Sequence, residues 1–264
     1  MGVFQNNLLA GAAAAASAGG GGFYSHQIEQ SARFDSASSS YLSKTFSGNG
    51  ASGGKKMTFS FWFKRGVTAT QQHIFDANAS GTEDQLGFYN NEAILWLNNG
   101  SSGYFYTNNL FRDFGGWGHF VFAIDTTQST STNRVKIYFN GDELTFRTSS
   151  YPSQDYQMKF LQANAHNISR RIQGTTNFYD GYLAEFYVID NQQLDPSSFG
   201  ETKNGVWIPK DASGLTFNTN GFYLKFENAS DLGNDSSGNN NDFTANNMGT
   251  DHQVLDTPTT GAGS

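Results

Sequence analysis

Oxygen ligands are densest between residues 231 and 242, which read DLGNDSSGNNND. Calcium takes about six to eight oxygens from carboxylates, Asn amides and backbone carbonyls. Asp231, Asp235, Asn239 and Asp242 are therefore candidate calcium ligands. The stretch lacks the spacing of an EF-hand loop, and Asn, Asp and Gly also build turns unaided.

Sugar binding calls for aromatic faces beside amides and carboxylates. Trp96, Tyr104 and Tyr106 flank the loop NNGSSG at 98–103 and are candidate glycan contacts. Packing of two strands is the competing reading. Glycoside hydrolysis needs two carboxylates on one face, about 5–5.5 Å apart for retention. Glu185 and Asp190 fall on opposite faces of an extended segment. Glu83-Asp84 and Asp142-Glu143 are adjacent pairs near turns. No catalytic residue is assigned, and the chain is expected not to be an enzyme.

His26, His73, His119, His166 and His252 are far apart, with no His-x-His or His-x-x-x-His spacing for a metal. His119, near Trp117, reads as a hydrogen-bonding strand histidine. Gly50-Ala51-Ser52-Gly53-Gly54 formally matches a nucleophile elbow. An elbow needs a strand before it and a helix after it. Here Ser47-Gly48-Asn49 precedes and a strand pattern follows, so a loop is expected. Gly54-Lys55-Lys56 lacks the spacing of a phosphate loop.

The elements that must position these groups read as strands. The chain has 24 Phe, 12 Tyr and 4 Trp beside 30 Gly, and only 15% of it is charged. Aromatic residues fit a pleated, half-buried surface and Gly fits the turns between strands. MTFSFWFK (57–64) alternates Met57, Phe59, Phe61 and Phe63 with Thr58, Ser60 and Trp62. Both faces are fairly apolar, as in a central sandwich strand. RVKIYFNGDELTF (134–146) is a hairpin whose Asn140-Gly141 supplies a type I′ turn. Further strands are expected at 72–76, 84–89, 93–98, 103–107, 118–125, 158–163, 167–173, 178–189 and 221–227. Asp195 caps a helical turn with Pro196 at its first position. Turn signals every ten residues or so point to an all-β sandwich.

The 264 residues suit one such domain and carry a net charge of −7 with scattered Lys and Arg. An acidic chain without a basic stripe is not built for nucleic acid or an anionic membrane. No apolar run reaches the roughly 18 residues of a membrane span. Cysteine is absent, so disulfides and thiolate metal sites are excluded.

Residues 1–22, MGVFQNNLLAGAAAAASAGGGG, favour a helix ended by glycines. No Lys or Arg precedes Arg33, so the basic start of a signal peptide is missing. A helix this poor in large side chains is marginal alone. The segment is expected to make assembly contacts through Phe4, Leu8 and Leu9. Three such stalks would multiply weak contacts, so a homotrimer is expected. The chain divides into an anchoring segment (1–30), a sandwich (31–245) and a surface-running tail (246–264).

Three stretches resemble laminin-G-like and pentraxin-like sandwiches. They are SARFDSASSSYL at 31–42, WGHFVF at 117–122 followed by RVKIYFNG at 134–141, and FYDGYLAEF at 178–186. The resemblance implies a concanavalin-A/laminin-G-like jelly roll of two antiparallel sheets. Relatives of that fold often bind calcium, and its glucanases carry a Glu-x-Asp-x-x-Glu signature that is absent here. FQNNLLAGAAAAASAGG, YDGYLAEFYVIDNQQLDPSSFGE and FENASDLGNDSSGNNNDFTANN also resemble virion structural proteins of tailed phages, marine ones especially. That resemblance implies a short fibre, knob or decoration on the virion surface. It would join capsid or tail proteins by its N-terminus and adhere to host glycans. The alternatives are an architectural head-decoration protein without ligand and, third, a glycan-processing enzyme.

Overall fold

The computed structural model describes residues 22–260. The opening stretch 31–42 becomes two strands, β1 (Ser31–Phe34) and β2 (Tyr41–Thr45). Between them Asp35 accepts the Ala37 N–H at 2.9 Å, and the turn sends the chain from one sheet to the other.

Then follow β3 (Lys56–Arg65), β4 (Gln71–Ala79), β5 (Thr82–Tyr89), β6 (Glu92–Leu97), β7 (Gly103–Leu110) and β8 (Gly118–Asp125). Next come β9 (Val135–Phe139), β10 (Asp142–Glu143), β11 (Phe146–Ser150), β12 (Ala165–Ile168) and β13 (Gly181–Asp190). The last five are β14 (Gly200–Lys203), β15 (Val206–Pro209), β16 (Phe222–Leu224), β17 (Thr244–Asn246) and β18 (Gln253–Val254).

The first sheet runs β10-β9-β8-β3-β13-β1-β18, with β16 also on β13. The second runs β11-β7-β6-β5-β4-β12-β2-β17. Pairing is antiparallel throughout both ladders. The architecture is the expected all-β jelly-roll sandwich. Among the described residues no helix is long and apolar enough to cross a membrane.

Phenyl rings fill the space between the sheets. Met57, Phe59, Phe61 and Phe63 of β3 all face inward and are buried. Phe61 stacks on Phe186 at 5.0 Å and Phe63 on Phe120 at 4.6 Å. Offset aromatic contact adds to the area removed from water. The opposite face of β3 is also covered, which explains its second apolar row. Trp62 packs there with Ile28 and Ala184. Beside it Tyr187, Phe199, Phe217 and Tyr223 form a second cluster, roofed by the chain between β13 and β16.

Asn140 and Gly141 adopt φ of +48° and +89°, as the I′ turn between β9 and β10 requires. Asp195 caps the 3₁₀ turn Pro196–Ser198 by accepting the Ser197 N–H. The expected strand at 158–163 is a turn, with Leu161 at φ +58°. Its Met158, Phe160 and Leu161 are buried as plugs of the core. The expected strand at 167–173 ends at Ile168. The stretch taken as a surface tail supplies β18 to the first sheet. Just beyond it the buried Thr257 hydroxyl donates to Ile28 O at 2.7 Å, tying the two ends of the described chain together.

Candidate functional site

The outer face of the second sheet carries the aromatic residues singled out above. Along β5, β6 and β7, Phe88, Leu95, Leu97 and Phe105 point into the core. Tyr89, Trp96, Tyr104 and Tyr106 alternate with them and so point outward. Trp96 lies opposite Tyr104 in the β6–β7 ladder, and Ile94 opposite Tyr106. Tyr89, Trp96 and Tyr106 form a triangle with ring centroids 5.6, 5.8 and 5.9 Å apart. Tyr104 extends it, 6.2 Å from Tyr106. Ile94 is fully buried on the same side, outside the main core cluster.

A charged pair borders the triangle. Arg147 of β11 sets its guanidinium 5.2 Å from the Tyr106 ring and grips the Glu92 carboxylate with Nε and Nη2, the latter at 2.9 Å. The rings are half-buried, and burial raises the Tyr106 pKa. The Trp96 indole N–H is buried with no acceptor in hydrogen-bond geometry. Such a surface offers flat apolar faces, phenolic hydroxyls and a fixed fork of charge. The sequence reading missed Tyr89, Glu92 and Arg147. Tyr89 was legible from the alternation of 84–89, but Arg147 arrives from β11, whose pairing no local pattern shows.

A laminin-G model, described as the concanavalin A-like lectin/glucanases superfamily, matches residues 14–196. The chain belongs to this superfamily. In solved structures it is similar to a Bacteroides ovatus protein described as a candidate carbohydrate binding protein. The TM-score is 0.51 and the identity 14%, over 84% of this chain and 59% of that one. It is similar to a heptameric pentraxin from Limulus polyphemus, with a TM-score of 0.46 and 13% identity over 64% of this chain and 80% of that one. It is similar to the LG4-5 domains of mouse laminin α1, with a TM-score of 0.44 and 12% identity over 72% and 48% of the two chains. At these identities the likeness is one of fold. No curated protein matches the chain by sequence.

A superfamily named for lectins and glucanases directs attention to the carboxylates. Of those singled out above for hydrolysis, all but the exposed Asp142 are held by scaffold donors or a cation. Glu83 accepts from Arg171 Nε at 2.7 Å and Gln85 Nε2 at 2.6 Å. Asp84, on the opposite face of β5, accepts the Lys159 and Asn98 N–H groups at 2.6 and 2.7 Å. Glu143 pairs with Lys136 at 3.0 Å. Asp190 accepts the Ala51 N–H at 2.7 Å and the Asn220 N–H at 3.1 Å. Glu185 sits at φ +48° in a bulge of β13 and accepts both the Tyr187 and Tyr223 hydroxyls, the latter at 2.6 Å.

The Asp/Asn-rich stretch is a knot of turns. The Asp235 carboxylate accepts four donors: the N–H groups of Tyr223, Ser237 and Asn241, and the Ser237 hydroxyl, all at 2.8–2.9 Å. Asp242 accepts the Asp235 N–H at 2.8 Å. The Asn239 amide donates to Gly221 O at 3.0 Å, and Asp231 is exposed. Oxygens aimed at N–H donors are not presented to a cation. Among the described residues no group of three or more His, Cys, Asp or Glu side chains converges.

Ser52 trades hydrogen bonds with the Lys56 backbone at 2.9 and 3.0 Å, in the loop expected for it. The serine that does meet a histidine is Ser60, whose Oγ lies 2.8 Å from His119 Nε2. The Trp207 N–H donates to His119 Nδ1 at 3.1 Å. Nδ1 is therefore unprotonated, and Nε2 carries the proton it gives to Ser60. A general base needs the opposite tautomer. Both side chains are buried, and burial pushes the His119 pKa down to about 3. Phe4, Leu8 and Leu9 lie outside the described residues.

Proposed function

We propose that this chain is a non-catalytic glycan-binding module displayed on the surface of a tailed-phage particle. The observation that carries the binding reading is the outward triangle of Tyr89, Trp96 and Tyr106, bordered by Arg147 and Glu92. Rigid amphipathic rings present apolar area and a polar tip at low entropic cost. The rings stack on the apolar face of a pyranose, while the guanidinium and carboxylate meet its hydroxyls. The residues resembling phage virion proteins support the location. There the protein is a short fibre, knob or decoration, anchored by a segment including Phe4, Leu8 and Leu9 and assembled as a homotrimer.

The test is a glycan array probed with the full chain and with Trp96→Ala and Tyr106→Ala. Binding that both substitutions weaken supports the reading. An array with no bound glycan would leave an architectural decoration protein. Imaging the intact particle with the protein labelled tests the location.

A further inference from the structure

Three of the four tryptophans, Trp62, Trp117 and Trp207, line one cleft on the outer side of the first sheet, away from Trp96. We propose that this cleft is a second ligand site, for a neutral oligosaccharide that lies across Trp117. The inference takes from the proposed function only its ligand class; the residues are separate.

Trp117 and Gly116 stand between two hollows and line both. One hollow, of about 440 Å³, is bounded by Tyr24, Trp62, Lys64, Trp207 and Asp256. The other, of about 360 Å³, has a floor of Phe63, Phe111 and Phe139 and a rim that includes Arg112 and Asp113. Each falls within the roughly 300–1,000 Å³ of ligand pockets. The Phe63 hollow is mainly apolar, whereas the hollow beside Trp207 mixes indole faces with a larger share of polar groups, Lys64, Asp256, Thr257 and Thr260 among them.

The walls are held before any ligand arrives. Asp256 accepts Trp117 Nε1 at 3.0 Å and Lys64 Nζ at 2.8 Å. Trp207 is fixed by its bond to His119, and a Cβ at Gly200 or Gly141 would come within 2.4 or 2.6 Å of its ring. Those glycines are what lets the ring lie flat on the hairpin backbones. The lips stay open and apolar: Val206 is 50% exposed and Leu110 is 48% exposed. Apolar side chains left exposed around a concavity mark a surface built to be covered.

Charge selects the class of ligand. Two cations, Lys64 and Arg112, face two carboxylates, Asp113 and Asp256, so the cleft carries no net charge. Each hollow sets one cationic donor and one carboxylate acceptor beside aromatic walls, Lys64 with Asp256 in one and Arg112 with Asp113 in the other, which matches the hydroxyls and apolar ring faces of a neutral sugar. Two hollows divided by one indole suit at least two linked rings.

Tryptophan emission reads this cleft alone once Trp96 is replaced. The full chain carrying Trp96→Phe is titrated with neutral trisaccharides of glucose, xylose and mannose, and with a trigalacturonate. The expected result is a saturable emission change with at least one neutral trisaccharide. Binding measured by calorimetry should weaken about tenfold or more in Trp117→Ala. Leu110→Asp, at an exposed lip where folding is not at stake, should weaken it as well. No emission change in Trp96→Phe, while array glycans still bind through the second sheet, would overturn this site and leave the proposed function standing. Binding that ignores Trp96→Ala and Tyr106→Ala but fails in Trp117→Ala would support the cleft and remove the second-sheet site. A response to the trigalacturonate alone would overturn the assignment of a neutral ligand.

Discussion

Ser60 Oγ and His119 Nε2 meet 2.8 Å apart across the β3–β8 ladder, beneath the indole of Trp207. The imidazole is neutral in the folded chain, its pKa lowered by burial to about 3. His166, buried between the Leu161 N–H and Asn164 O, is lowered to about 4 for the same reason. Unfolded, both take up a proton near pH 6.5. The unfolded state therefore binds more protons as pH falls, and the stability present above pH 6.5 is lost progressively toward pH 3–4. His26 has the opposite sign: the Glu185 carboxylate 3.4 Å from its Nε2 raises its pKa, so its contribution is present below pH 6.5 and lost as pH rises through the raised value. Thermal melts from pH 7 to pH 4 are expected to show a falling melting temperature. His119→Gln should flatten the slope, and an unchanged slope would mean that this histidine is not the group titrating.

The phenyl core makes a second expectation. Phe61 and Ile137 are both 0% exposed, and Phe61 stacks between Phe186 and Phe122. Truncation to alanine removes transfer energy and leaves a cavity that neighbouring rings cannot fill by bending. Each substitution should cost about 2–5 kcal/mol by chemical denaturation. Equal midpoints for wild type and both variants would contradict the packing.

These inward faces were legible because strand alternation is local. Met57 to Phe63 and Val135 to Phe139 declare their faces within a few residues, and Asn140-Gly141 fixes its own turn. The 158–163 segment was misread because Met158, Phe160 and Leu161 are apolar for a different reason: they plug the core from a loop. The β14–β15 hairpin went unseen because Trp207 finds its partners, His119 and Gly141, only in three dimensions. The candidate site was half legible for the same reason. Trp96, Tyr104 and Tyr106 announced themselves by type, but the ion pair beside them depends on β11 docking against β7.

Asp235 supplies a third expectation. Its carboxylate satisfies four donors, three of them backbone N–H groups. Asp235→Ala leaves those donors unpartnered in a largely buried turn and should cost roughly 1–3 kcal/mol. A calcium chelator should leave the melting temperature of the wild-type chain unchanged. A rise in melting temperature on adding calcium would show that these residues ligate after all.

The N-terminal boundary yields the last expectation. Residues 22–30 are part of the sandwich's outer packing, whatever residues 1–21 do. Ile28 is 2% exposed against Trp62 and Ala184. Its backbone accepts from Thr257, and its N–H donates to Thr259 Oγ1 at 3.0 Å. His26 reaches to 3.4 Å from the Glu185 carboxylate. Removing residues 1–21 should therefore leave the melting temperature unchanged. Removing residues 1–30 should lower it, because Ile28 alone contributes about 1.5–3 kcal/mol of burial and Glu185 loses the imidazole 3.4 Å from it. Association separates the two segments again. If residues 1–21 hold three stalks together, light scattering should give three masses of 28.9 kDa for the full chain and one chain mass for either truncation. A full-length monomer would remove the trimer, and a trimer that survives both truncations would move the interface onto the sandwich itself.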